Sequence, residues 1–176
     1  MRFLLVVTVV CSVLISMNIF AATSEYQGQE LRQIKALSQQ EIEGYLQGKG
    51  MGMAKAGELN NYPGPKHVLE NADALALSAE QRQQTEALFK QMQSAAIALG
   101  EQLIAREKAL DTAFAEQSIN PDDLTSLTNE IAQLQGQLRA VHLQAHLHQR
   151  ALLSQHQLHQ YNELRGYHVS TNHVHQ

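Results

Sequence analysis

Between residues 124 and 145 the chain carries Leu124, Leu127, Ile131, Leu134, Leu138, Val141 and Ala145, spaced alternately by three and four residues. A seven-residue apolar repeat of this length keeps one seam of an α-helix turned toward a partner, and a strand, with its period of two, cannot satisfy it. Upstream, Leu88, Met92, Ala95 or Ala96, Leu99, Leu103, Leu110 and Phe114 also recur at helical steps. "SINPDD", residues 118–123, separates the two runs. Asn120 can cap a helix, Pro121 suits its first position, and Asp122 and Asp123 favour the positive end of its dipole. So short a turn makes 78–117 and 121–150 an antiparallel hairpin with arms about 45–60 Å long. Such a hairpin is thin and cannot bury both faces by itself. A helix at 25–47, the last helix or a second chain must cover it.

Elsewhere Ala, Leu, Gln and Glu dominate, all good helix formers, and no stretch sustains strand-like alternation. The fold class is all-α: a long antiparallel helical hairpin with short flanking helices. Residues 25–47 form a first helix, with Leu31, Ile34, Ile42 and Tyr45 along one face. Gly48, Gly50, Gly52, Gly57 and Gly64 then argue against a regular element, so 23–64 divides into an N-terminal helix and a glycine-rich linker. The helical domain proper spans 65–166. It opens on a short helix at 65–75 and closes at Gly166, a natural helix stop. Gly100 is a weak point within the first arm, costing about 1 kcal/mol relative to Ala. Residues 167–176 read as a disordered, histidine-containing tail.

The start of the chain belongs to export rather than to the fold. Arg2 precedes an apolar run from Phe3 to Phe20, and the small residues of "AATS" follow it. That is the pattern of a secretory signal peptide, 1–22, cleaved near residues 21–24. An uncleaved anchor is the alternative, since the run is just long enough to span a bilayer. Cleavage removes Cys11, the one cysteine, and with it any disulfide or thiol chemistry. The formal net charge is −4, and no basic patch stands out, which makes nucleic acid a poor partner. The absence of Trp and the low aromatic content argue against large aromatic-lined pockets.

Two boxes frame the hairpin. Leu77-Ser78-Ala79-Glu80-Gln81 and Leu153-Ser154-Gln155-His156-Gln157 each place a hydroxyl at a helix start and a glutamine three residues on, the pattern of a capping box. The pair resembles the LTxxQ boxes of the Spy/CpxP family of periplasmic helical proteins, with Ser for Thr, over residues 65–166. "YPGPKHVLE" and "RGY" also look like segments of that family's heavy-metal-sensor branch. The resemblance implies a bent four-helix cradle, often an antiparallel homodimer, located in the periplasm. It further implies either ATP-independent binding of unfolded clients or heavy-metal sensing. The family's chaperone cradle is typically basic, whereas this chain is net acidic, which weakens capture of acidic clients.

Five of the nine histidines fall within 142–160. His142 and His146 are four apart, a spacing that lets two imidazoles on one helix face hold one metal ion. Both sit one place beyond the repeat, at an edge expected to be accessible. The alternative is a pair of boundary histidines hydrogen-bonded to neighbours. The resemblance suggests His67 and Glu86 as further ligands for Zn, Cu, Co or Ni. A straight hairpin, however, leaves Glu86 roughly 10 Å along the axis from His146. His156 and His159 share a face of the last helix, His148 lies off the His142/His146 face, and His168, His173 and His175 lie in the tail. Met51 and Met53 suit either Cu(I) or apolar anchoring.

The chain shows no cysteine nucleophile after export, no G-x-S-x-G and no P-loop, and Ser78 and Ser154 have capping roles, so catalysis is not expected. Two functions compete. One is a non-enzymatic stress protein holding unfolded periplasmic proteins, with metal binding as a modulator, for which Leu143 and Leu147 are candidate contacts. The other is a heavy-metal binder acting on the periplasmic sensor domain of a membrane signalling protein. Histidine titration near neutral pH offers the second a switch.

Overall fold

The computed structural model describes residues 24–167. The signal peptide expected at 1–22 and the tail histidines fall outside the described residues. Those residues are all-helical, with no strand among them. A short 3-10 turn at Gln29–Leu31 leads into six α-helices: α1 (Gln39–Leu46), α2 (Lys55–Glu58), α3 (Pro65–Glu70), α4 (Ala79–Ala115), α5 (Pro121–Leu152) and α6 (Gln155–Leu164). Among the described residues no helix is long and apolar enough to cross a membrane.

α4 and α5 form the expected hairpin. Asn120 caps α5 by accepting from the amides of Asp122 and Asp123, with Pro121 at the first position. Two cross-arm contacts fix the register. Near the base, Gln149 Nε2 donates to Thr85 Oγ1 at 3.1 Å, and toward the turn Arg106 Nε lies 2.9 Å from Glu130 Oε2. Met92, Ala96 and Leu103 of α4 are buried, as are Ile131, Leu138 and Ala145 of α5. Each fully buried Leu or Ile contributes roughly 1.5–3 kcal/mol. A second core at the base joins Val68, Leu75, Leu153, Leu158 and Tyr161.

The N-terminal region departs from the expectation of one helix over 25–47. Helix starts only at Gln39, behind a capping box in which Ser38 accepts from the Glu41 amide and Glu41 reaches back to the Ser38 amide. The 48–64 stretch is no free linker either. Together the two segments run down one side of the hairpin as a third layer. Lys35 meets Asp111 near the turn, the Gln47 carbonyl accepts from Gln93 in mid-arm, and the Tyr62 carbonyl meets His146 toward the base.

Glycine makes that layer possible. A Cβ on Gly100 would lie 2.8 Å from the Tyr45 carbonyl oxygen, so only a bare Cα lets the segment reach α4. Gly100 is therefore a point of close approach, and the helix propensity it sacrifices is the smaller quantity. One face of the hairpin is thus covered by the chain's own N-terminal segment.

Candidate functional site

The covering layer does not close flush. Between it, α3 and the hairpin lies a cavity of about 760 Å3, within the range of small-molecule sites. Phe89, Met92 and Ile97 supply its α4 wall, Met51, Ala54 and Leu59 the covering segment's side, and Pro65 an end. A sizeable cavity therefore exists despite the scarcity of aromatics: Met51, Met92, Ile97, Leu59 and Phe89 share its lining with glycines, lysines and histidines.

His142, His146 and His67 all line this cavity. Glu86 is exposed on α4 and does not line it, so the four-residue set foreseen from the sequence is not assembled around one point. His142 is not the accessible edge residue expected. It is 3 % exposed, because the covering segment passes over it at Gly50. Its Nε2 has no hydrogen-bond partner among the described residues. Burial holds its pKa below the ordinary imidazole value, and the neighbouring His146 pushes in the same direction.

His146 is oriented by the backbone. Its Nδ1 lies 2.7 Å from the Tyr62 carbonyl, which can only accept, so Nδ1 carries the proton and Nε2 is left without this bond. A Cβ at Gly64 would come within 2.9 Å of that Nε2, so the Cε1–Nε2 edge of the ring packs against the bare Cα there. His67 instead turns to its own helix, with Nδ1 2.7 Å from Glu70 Oε2. Each of these two imidazoles thus spends one nitrogen on the fold. Among the described residues no group of three or more His, Cys, Asp or Glu is placed to hold a metal ion.

At the edge of the cavity stands a polar hub that no motif marks. Glu58 Oε1 accepts from the Tyr161 hydroxyl at 2.6 Å and the Tyr167 hydroxyl at 3.2 Å, and Oε2 accepts from the Gly64 amide at 3.1 Å. Arg165 Nε lies 3.5 Å from the same carboxylate. Glu58 therefore ties the glycine-rich segment to α6 and to the residues after it. Tyr161 is almost wholly buried, and burial, followed by its bond to Glu58, drives its hydroxyl pKa far up.

The remaining histidines divide by surroundings. His148, His156 and His159 are exposed, and His159 Nδ1 lies 3.6 Å from Glu163 on the same helix. Met51 packs its sulfur over Gly44, and it shares with Met53 a smaller cleft bounded by Tyr45, Leu138 and Arg139.

Both boxes form as read. Ser78 and Ser154 accept from the amides of Gln81 and Gln157, and each glutamine accepts from its serine's amide. Leu153 is buried in the base core, and Leu77 packs against that core.

No protein-family model, curated relative or solved structure matches this chain.

Proposed function

We propose that this chain is a non-enzymatic periplasmic stress protein that holds unfolded clients, without ATP, on the uncovered face of its hairpin. The supporting observation is a half-covered apolar seam. The N-terminal segment meets α4 at Gln93, Ile97 and Gly100, and α5 at His142 and His146. At ~100° per residue, Leu88, Ala95 and Leu99 project to the other side of α4, and Leu127, Leu134 and Val141 to the matching side of α5. All six are only partly buried, while their neighbours in the seam between the arms, Met92, Ala96, Ile131 and Leu138, are buried. Two apolar rows on one open face invite an apolar partner segment. Phe114, 54 % exposed, adds accessible apolar surface near the turn, whereas Leu147, 55 % exposed, projects away from these rows.

A non-catalytic role is consistent with how the candidate nucleophiles are used: Ser78 and Ser154 cap helices, and the Tyr161 hydroxyl donates to Glu58. A second copy offers the same rows, so a homodimer through this face would compete with a client for it. The test is light scattering of a denatured substrate protein as it aggregates. The native protein at a few-fold excess suppresses the signal, and a Leu99→Lys/Leu134→Lys variant that remains helical does not. No suppression by the native protein refutes the reading.

The second reading is a Zn, Cu, Co or Ni binder acting on a periplasmic sensor domain. It draws on the shared cavity wall of His142 and His146 and on the unpartnered Nε2 of His142. Isothermal titration of the native protein against a His142→Ala/His146→Ala variant decides it, because equal affinity removes this pair as the site.

A further inference from the structure

We propose that the cavity between the glycine-rich segment and the hairpin binds a single-chain amphiphile with an anionic head, of the class of long-chain carboxylates. This site lies on the face opposite the open seam and does not depend on the client-holding reading.

The first argument is shape. The α4 wall runs from Phe89 through Met92 to Ile97, about 12 Å of helix at ~1.5 Å per residue. Ala54, Leu59 and Pro65 face the same space. A cavity with a wall of that length and mostly apolar exposed surface accommodates an extended alkyl chain.

The second is charge. Lys49, Lys55 and Lys66 line the cavity and are themselves exposed, which places their ammonium groups at its mouth. Among the described residues Lys49 and Lys55 pair with no carboxylate, and Lys66 has only Glu70, at 3.8 Å. Against these three lysines the lining holds one carboxylate, that of Glu58, whose oxygens already accept from Tyr161, Tyr167 and Gly64. The mouth is thus locally cationic in a chain whose formal net charge is −4. A head of negative charge is drawn to such a mouth, and one of positive charge is repelled.

The experiment is isothermal titration of the full chain with sodium dodecanoate below its micelle concentration, and in parallel with dodecyltrimethylammonium. Dodecanoate is expected to bind one to one, and the cationic amphiphile about tenfold or more weaker. Lys49→Glu/Lys55→Glu should weaken dodecanoate about tenfold and improve binding of the cation. Gly50→Trp fills the cavity from its edge, where an added Cβ would meet only the His142 ring, at 3.8 Å. It should abolish dodecanoate binding with the helical circular dichroism intact. Leu99→Lys/Leu134→Lys, on the other face, should leave that binding unchanged. Equal affinity for the two amphiphiles, no saturable binding of dodecanoate, or undiminished binding by the folded Gly50→Trp variant overturns the proposal. Loss of dodecanoate binding in the seam variant does so as well, by placing the amphiphile on the seam.

Discussion

Gln81 and Gln157 hold each other across the base of the hairpin: Nε2 of Gln81 donates to Oε1 of Gln157 at 2.9 Å, and Nε2 of Gln157 donates to Oε1 of Gln81 at 3.1 Å. Each Oε1 also accepts from its own N-cap serine amide, and each Nε2 reaches a carbonyl of the opposite segment, Leu152 for Gln81 and Leu75 for Gln157. The two caps are thus one joint between the starts of α4 and α6. Gln157 is the more buried of the two, so Gln157→Ala leaves more polar groups stranded away from water. It should cost about 2–3 kcal/mol, and Gln81→Ala about 1–2 kcal/mol. The double variant should show a coupling of about 0.5–3 kcal/mol. Urea denaturation followed by circular dichroism measures all three, and strictly additive losses would mean that the joint is not cooperative.

Two helical glycines make opposite demands. Gly100 in α4 has the Tyr45 carbonyl oxygen 2.8 Å from where a Cβ would sit, whereas Gly136 in α5 has nothing within 4 Å. Propensity alone favours Ala at both by about 1 kcal/mol. Gly136→Ala should therefore raise the melting temperature. Gly100→Ala should lower it, because the covering segment must lift from α4, and overpacking of that kind costs about 1–3 kcal/mol. Thermal melts of the two variants check the contrast, and a stabilising Gly100→Ala would show that the N-terminal layer is not held against the hairpin.

The hairpin was legible because its signals are local: the repeat from Leu124 to Ala145, the Asn120-Pro121 start, and the Ser78 and Ser154 boxes are all read within a few residues. A third box of the same kind, Leu37-Ser38-Gln39-Gln40-Glu41, stood in plain view. Extending a helix upstream through 25–47 hid it, since a hydroxyl cap marks where a helix begins. The covering layer was not legible. A glycine chosen for close approach looks like a glycine chosen for a turn until its neighbours are placed: Gly64 and Gly100 are of the first kind, and Gly48, at φ 63°, is both. The burial of His142 follows from that same layer, as does the cavity. Glu58 gave no signal, because its partners Tyr161, Arg165 and Tyr167 lie more than a hundred residues away.

The Tyr161–Glu58 bond should be visible at alkaline pH. Folding raises the Tyr161 pKa, so the folded state holds its proton more tightly than the unfolded chain. The associated stability is complete below the unfolded value, about 10, and is lost as pH rises beyond it. Tyr161→Phe removes the hydroxyl and leaves the Glu58 carboxylate one donor short. It should lower stability at pH 8 by about 1–3 kcal/mol and flatten the decline above pH 10. Chemical denaturation at pH 8, 9, 10 and 11 gives the two slopes, and parallel slopes for the native and variant proteins would remove Tyr161 as the source.

His142 should act in the opposite sense. Burial lowers its folded pKa, with the adjacent His146 adding to the effect. The unfolded chain therefore takes up a proton near the ordinary imidazole value, about 6.5, while the folded chain resists it. The stability this residue contributes is present above that value and lost as pH falls below it. Phe is the informative replacement: it fills the same buried space, cannot titrate, and removes the Nε2 that meets no partner among the described residues. His142→Phe should match or exceed the native protein in stability at pH 5 and show a shallower fall between pH 7 and pH 5. Urea midpoints across that range measure it. A variant that loses stability equally at every pH would mean that the buried imidazole is satisfied in solution by a partner that phenylalanine cannot replace.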